Sequence, residues 1–263
     1  MTSDFSIIHK QAKISNNVKI GPFCRIGKDV SIGSNCVLHS HISIDGRVKI
    51  DDNSEIFPFA SIGSAPQDLK YKGESTSIII GKNCKIREYV TINLGTDGGG
   101  GITKIGDNCL LMIGTHIAHD CNIGNNVIFA NHSTLAGHVI VEDNVVIGAL
   151  SAIHQFCRIG EGAMIGGMSG VTADVVPFST VLGNRAKLSG LNVLGLKRRD
   201  IAKKEILELR KVFKTLFYSS ENTLKDRANY LSDKKPKQKT IQKLLMFLEK
   251  RSDRSFCMPD HNE

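Results

Sequence analysis

An aliphatic residue returns at every sixth position along most of this chain. Counting in sixes from Ile8 gives Ile14, Ile20, Ile26, Ile32, Leu38, Ile44, Ile50, Ile56 and Ile62. After a break the series resumes at Ile80, Ile86 and Ile92. After a second break, with its phase moved by one residue, it runs through Ile105, Leu111, Ile117, Ile123, Phe129, Leu135, Val141, Ile147, Ile153, Ile159, Ile165 and Val171. All 25 positions are apolar, in a chain of 263 residues that is only 41% hydrophobic. This period matches neither an α-helix, at roughly 3.6 residues, nor a long alternating strand, at about 2. It is the period of a parallel β-helix, with one short strand and one corner per hexad. If three hexads close a triangular turn, residues three hexads apart stack on one another.

The other hexad positions fit a narrow core. The fifth is small or β-branched, as at Ala12, Val18, Val30, Ile42 and Val48, and six of the seven cysteines fall there: Cys24, Cys36, Cys84, Cys109, Cys121 and Cys157. These read as small buried hydrophobes, not as metal ligands or nucleophiles. Only Cys257 is expected to be accessible. Gly often follows the aliphatic residue, as at Gly21, Gly27, Gly33, Gly81, Gly106, Gly124, Gly148, Gly160 and Gly166. It is expected there to supply the positive φ of a tight corner.

The hexads are interrupted near residues 64–79 and 93–104, which are expected to be loops thrown out of the coil, where function concentrates. They stop near Val176-Pro177. From Asp200 the apolar spacing turns helical through Ile201, Ile206, Leu209, Val212, Phe213, Leu216 and Phe217. Further helices are expected over 224–231 and 240–251, and a loosely ordered tail over 252–263. The predicted organisation is a β-helix domain over 1–186 and a smaller α-helical domain over 187–263.

Charge follows the same division. Residues 1–184 hold 14 Lys and Arg against 16 Asp and Glu, whereas residues 185–263 hold 20 against 10. The basic end could attract nucleic acid, a membrane surface or an acidic protein, or simply be a solvated helical face. No nucleic-acid motif is present, no apolar run is long enough to span a membrane, and no secretory signal is visible. Seven cysteines without a CxxC point to reduced thiols and a cytoplasmic location.

Histidines supply the chemistry. The hexads beginning at Ile117, Leu135 and Ile153 carry His119, His138 and His154, which the three-hexad count places in a column, with His116 at the adjoining corner. Asp120 follows His119 and could hold its imidazole in one orientation. His9, His39, His41, His132 and His261 read as ordinary surface histidines. The run Gly98-Gly99-Gly100-Gly101 lacks the signature of a phosphate loop and reads as a flexible loop.

The whole pattern resembles the hexapeptide-repeat acyltransferases, whose fold is a left-handed parallel β-helix. More narrowly it is similar to the bacterial UDP-N-acetylglucosamine O-acyltransferases of lipid A biosynthesis. The carrying segments are Gln67-Asp68-Leu69-Lys70-Tyr71, the four-Gly run, His116-Ile117-Ala118-His119-Asp120-Cys121, Ala136-Gly137-His138-Val139, His154-Gln155-Phe156-Cys157 and Gly195-Leu196-Lys197-Arg198-Arg199. The resemblance implies a cytoplasmic homotrimer with its sites between neighbouring coils. Each site would move a 3-hydroxyacyl chain from acyl carrier protein to the 3-hydroxyl of UDP-N-acetylglucosamine. It implies no cofactor of its own, since 4'-phosphopantetheine arrives on the carrier, and no metal. An acidic carrier protein also gives the basic end a partner.

Residue by residue, the resemblance implies His119 as general base, His138, His154 and Gln155 as pocket residues, and His116 as a substrate contact. Gln67, Asp68 and Lys70 would lie near the acyl hydroxyl or the sugar–phosphate. Asn192 and Arg198 would contact the nucleotide, with Arg199 an adjacent cation. The backbone N–H of Ala149 would serve the oxyanion. Gly167, beside Met168, would be the acyl ruler, and an open groove there implies a chain of about twelve to fourteen carbons, each methylene being worth about 0.8 kcal/mol. Two positions depart from the family. Leu194 stands where a Glu is frequent, and Arg185 where a His is frequent; an Arg there could still bind phosphate.

Other readings remain. A related enzyme acylates a 2-amino group but carries a domain before its coil, whereas the hexads here begin at Ile8. A carbonic anhydrase on the same coil would use His116 and His119 for zinc, with no role for Asp120 or the Gln67–Lys70 loop. A purely structural solenoid would need neither the loops nor the histidine column.

Overall fold

The computed structural model describes residues 3–260. Strands mostly two residues long form three flat faces. Among the described residues these are sheets of nine, eight and ten strands, and each strand pairs with the one three strands later until the last strands of the ten-stranded sheet. The register is that of the three-hexad turn: Ile8 pairs with Ile26, Ile14 with Ile32 and Ile20 with Leu38. The fold is a left-handed parallel β-helix followed by an α-helical domain.

The repeat positions point inward and form one continuous core, of which only Ile8 and Ile14, at the open end, are partly buried. The fifth-position cysteines are all buried, as expected. Cys257 is buried as well, at 4% exposure, which corrects the expectation that it stands free.

The glycine expectation needs a different physical reason. Gly21 and Gly148 do not have positive φ. A Cβ at Gly21 would lie 2.7 Å from the carbonyl oxygen of His39 in the next turn, and one at Gly148 would lie 2.5 Å from the Gly167 nitrogen. Glycine is required there because stacked backbones approach closely. The left-handed corner falls two residues later, mostly on non-glycines such as Asn17, His41, Asp120, His138 and Phe156, with φ between 58° and 64°.

The loops leave the coil at 65–76 and 94–101. The coil runs past Val176-Pro177. Strand Ser179–Leu182 continues the ten-stranded sheet, and Lys187–Leu191 turns back antiparallel to it. The change to helices falls at Asn192, which caps a short helix that the apolar spacing did not reveal, α1 (Val193–Arg198). Then come α2 (Lys203–Tyr218), α3 (Leu224–Asp233), opened by a Thr223–Asp226 capping box, and α4 (Lys239–Glu249). The buried face of α2, with Leu209, Phe213 and Leu216, joins Leu244, Leu245 and Phe247 of α4 in the same core as the coil.

The tail is not loose through its described part. Asp174 N donates to Ser255 O (2.7 Å), and Cys257 N donates to Asp174 O (2.8 Å). The Asp174 carboxylate, fully buried, takes the Arg158 Nε at 2.7 Å, and the Arg158 guanidinium lies 4.5 Å from the Phe247 ring centroid. Coil, tail and α4 are thus tied at one junction. His261 lies outside the described residues.

Candidate active site

Asp120 stands at the corner between the nine- and eight-stranded faces, in the left-handed conformation that Asp tolerates better than most residues. Its carboxylate is buried and fully engaged. Oδ1 accepts from the Thr96 backbone N–H (2.9 Å), and Oδ2 accepts from the Thr96 hydroxyl (2.6 Å) and from His119 Nδ1 (2.8 Å). The Asp120 N–H donates to Thr103 Oγ1 at 2.9 Å. A carboxylate only accepts, so His119 carries a proton on Nδ1, and in the neutral ring Nε2 is the nitrogen left to act as a base. His119 is 13% exposed, less open than a coil-surface residue but reachable.

The glycine run explains how the second loop reaches this carboxylate. It folds into a turn at Asp97–Gly99, with Gly100 and Gly101 at positive φ. A Cβ at Gly99 would fall 2.1 Å from the Asp120 carboxyl carbon. The run is built for close approach to Asp120, so the expectation of a merely flexible loop gives way to a packed turn.

One turn along the coil, His138 sets its edge on the His119 ring, with centroids 4.9 Å apart, and stacks at 4.5 Å on Phe156 of the following turn. The column at this corner is therefore Asp120, His138 and Phe156. Gly137 lies over His119 itself: a Cβ there would meet the ring at 2.4 Å, and its N–H has no backbone acceptor among the described residues. His154 falls two positions before the column residue of its turn, Phe156. It is exposed, with Nδ1 2.8 Å from Arg254 Nη2, and neighbouring Gln155 is exposed too. His116 sits on its strand with Nδ1 2.7 Å from Thr91 Oγ1. Burial holds His116 and His138 below the ordinary imidazole pKa; His119 adds to this for both, while Asp120 opposes it at His138.

The first loop closes the other side. Asp68, Lys70, Tyr71, Thr96, His138 and Phe156 are among the residues around a cleft of about 300 Å³. Gln67 is exposed on the same loop. His119, Asp120 and His138 also offer ligand atoms within 4.8 Å of one another, but both Asp120 oxygens already serve Thr96 and His119.

The remaining expected residues lie elsewhere on the chain. Ala149 and Gly167 stack at the corner between the ten- and nine-stranded faces, so within one chain Ala149 lies at a different corner from His119, whereas Gly137 packs on the His119 ring. Arg185 and Arg198 are exposed. The Asn192 side chain is engaged in structure: Oδ1 caps Gly195 N (2.9 Å) and Nδ2 donates to Gly162 O (3.0 Å). Arg199 pairs with the mostly buried Glu161, which also holds Lys243 of α4. Thr96 was not singled out in sequence, and Gly99, Gly137 and Phe156 were quoted only within longer segments and given no role of their own. The signals for the last two were the hexad phase itself, counted on by three hexads from His119 and from His138.

Residues 174–257 match the family described as UDP-N-acetylglucosamine O-acyltransferase, domain 2, and residues 11–46 and 102–137 match the bacterial transferase hexapeptide repeats. The chain is 50% identical over 204 residues, 78% of its length and 77% of the relative's, to an acyl-carrier-protein-dependent UDP-N-acetylglucosamine O-acyltransferase from Paracoccus denitrificans. It is 43% identical over 244 residues, 92% of each chain, to the enzyme of the same name from Campylobacter concisus. Among solved structures, the UDP-N-acetylglucosamine acyltransferase of Campylobacter jejuni superposes with a TM-score of 0.93 at 40% identity, covering 99% of this chain and all of that one. The Francisella novicida enzyme gives 0.95 at 36% identity over 100% and 95%.

Proposed function

This chain belongs to the family of the UDP-N-acetylglucosamine O-acyltransferases, and on that premise we propose how its site works: it moves a 3-hydroxyacyl chain from acyl carrier protein to the sugar 3-hydroxyl of UDP-N-acetylglucosamine, with His119 as general base. The family is one of acyltransferases of lipid A biosynthesis. The observation that carries the reading is the Thr96–Asp120–His119 chain of hydrogen bonds, which holds a proton on His119 Nδ1 and leaves Nε2 of the neutral ring as the base.

The sugar hydroxyl gives its proton to Nε2 as its oxygen bonds to the thioester carbonyl carbon. Asp120 keeps the imidazole oriented and steadies the imidazolium that forms. Charge then rests on the former carbonyl oxygen, and the donor assigned to it is the backbone N–H of Gly137, a residue that packs on the His119 ring and whose N–H has no backbone acceptor among the described residues. Collapse breaks the C–S bond, and the imidazolium returns its proton to the departing pantetheine sulfur. The products are the 3-O-acyl sugar nucleotide and the free thiol carrier. No cofactor enters this sequence.

The homotrimer belongs to the same reading. Phe5, Phe23, His41, Phe59 and Tyr89 stack along one corner of the coil at centroid spacings of 4.9–5.7 Å, and all four of these Phe and Tyr rings are about half exposed or more. A neighbouring coil would cover this stripe and would bring its own Ala149–Gly167 corner toward a site formed between chains.

His119→Ala tests the assignment. The folded variant is expected to lose acyl transfer by about 10²–10⁴-fold. Near-normal turnover by a folded His119→Ala protein removes the base from this position.

A further inference from the structure

The tail residue Arg254 reaches the His154-Gln155 segment of the coil, where it meets the His154 side chain from outside the coil. Its place is set by hydrogen bonds on both sides: Arg254 N donates to the Ser252 hydroxyl (3.1 Å), and in the backbone Ser255 O accepts from Asp174 N (2.7 Å) and Met258 O from Leu188 N (3.0 Å). From there Nε donates to the Gln155 carbonyl (3.1 Å), and Nη2 lies 2.8 Å from His154 Nδ1. A guanidinium only donates and stays charged in proteins. His154 Nδ1 also lies 3.3 Å from the Gln155 carbonyl oxygen, a contact that would need a proton on Nδ1. That oxygen already accepts from Arg254 Nε, and the Arg254 contact with Nδ1 is the shorter by 0.5 Å. Nδ1 is therefore the acceptor, and the proton of the neutral ring sits on Nε2.

We propose that Arg254 is a positioning residue: it fixes His154 as the neutral Nε2–H tautomer and holds the His154-Gln155 turn, so that His154 offers a hydrogen-bond donor to a substrate oxygen. This rests on the acyltransferase reading, in which His154 and Gln155 line the substrate pocket. His119 and His154 then have opposite tautomers for opposite tasks. Asp120 takes the Nδ1 proton of His119 and leaves a base; Arg254 fills Nδ1 of His154 and leaves a donor.

The test combines ring-nitrogen NMR with kinetics. In ¹⁵N-labelled protein, the His154 signals, assigned by their loss in His154→Gln, are expected to show a protonated Nε2 and a bare Nδ1. In Arg254→Met they should move to a mixture of tautomers, and Arg254→Lys, which keeps a donor, should restore the wild-type pattern in part. In the assay, Arg254→Met should raise the KM of one of the two substrates about 3- to 10-fold with kcat within about twofold, as for loss of one hydrogen bond. The His154→Gln and Arg254→Met double variant should add nothing further, because the two act in series. An unchanged His154 tautomer in Arg254→Met overturns the proposal, as do two unchanged KM values or additive effects in the double variant. Arg254→Ala, which also removes the donor, serves for the same comparisons if the Met variant does not fold. The spectrum needs no turnover, so a failure of Arg254 as a positioning residue is distinguishable from a failure of the assigned reaction.

Discussion

Two corners of the coil share one backbone and differ in everything else. Between the eight- and ten-stranded faces the left-handed position is held by Asn17, Asn35 and Asn53, then Asn83 and Asn108. Their amides form a ladder, Asn17 Nδ2 to Asn35 Oδ1 and Asn35 Nδ2 to Asn53 Oδ1, each at 3.3 Å, with Asn83 to Asn108 at 3.0 Å. Between the nine- and eight-stranded faces the same position holds Asp120, His138 and Phe156. The ladder satisfies itself with identical groups. The other corner stacks unlike groups, and a loop comes down to complete it. The scaffold therefore supplies geometry, and residue type alone decides whether a corner is structure or site.

The largest effect expected from breaking this contrast is on turnover. Asn occupies the left-handed position as readily as Asp, so Asp120→Asn should fold. It loses the carboxylate that keeps the His119 proton on Nδ1, and transfer should fall by about 10²–10⁴-fold with little change in Tm. The mirror change, Asn35→Asp, removes one amide donor from the ladder. It should cost about 0.5–1.5 kcal/mol of stability and leave kcat alone. Equal losses of turnover in the two variants would erase the distinction between the corners.

The next effect is on the junction between coil and helices. Asp174 is fully buried against Arg158, so Asp174→Ala leaves a buried guanidinium without its anion, at a cost of about 3–5 kcal/mol. Chemical denaturation should show it. Burial, with Asp174 acting in the same direction, pushes the Cys257 thiol up to about 11. All seven thiols should resist alkylation in the native protein, and Cys257 should become the first to react in Asp174→Ala. Rapid labelling of Cys257 in the unaltered protein would mean that the tail is not docked.

A third effect concerns the corner that carries Gly167. A Cβ there would be 3.4 Å from the Ala149 carbonyl oxygen, a contact the coil tolerates, and Gly167 does not need positive φ. Gly167→Met should therefore fold and shorten the preferred donor. Each excluded methylene is worth about 0.8 kcal/mol, roughly a fourfold change in selectivity per carbon. A variant that keeps the original chain-length optimum, measured with donors of graded length, excludes Gly167 as the ruler.

These contrasts show what the sequence could disclose. In the coil, position within the hexad dictates direction, so the core, the buried cysteines and the meeting of His119, Asp120 and His138 were legible from spacing. A displacement of one or two residues was not. His154 falls beside the column and not in it, and the corner glycines serve close approach while neighbouring non-glycines take the left-handed φ. The loops have no period, so nothing in the pattern placed Thr96 on Asp120. Nor is a period present in residues 252–258, whose order comes from hydrogen bonds to Asp174 and Leu188 made across the fold. In α1, six residues are too few for a helical repeat to show, and its start depends on the Asn192 cap.

The smallest effect separates the coil from the helical domain by charge alone. The helical end carries the positive excess of the chain, and Lys203, Lys204, Arg210 and Lys211 of α2 are exposed, with no ion pair at any of them among the described residues. They touch neither His119 nor the cleft beside it, so they can influence transfer only through encounter with a charged partner. If that partner is an acidic acyl carrier protein, opposite fields speed its arrival and fix its orientation. Reversing one of these charges should raise the donor KM by about two- to fivefold at low salt and leave the UDP-sugar KM unchanged. The difference should vanish as salt rises, because at about 1 M the screening length shrinks to roughly 3 Å. Equivalent reversals on the coil, at Lys13 or Lys19, should leave the donor KM where it was. If coil and helix reversals act alike, or if salt leaves the donor KM unchanged, the basic end is a solvated face and the carrier docks by other contacts.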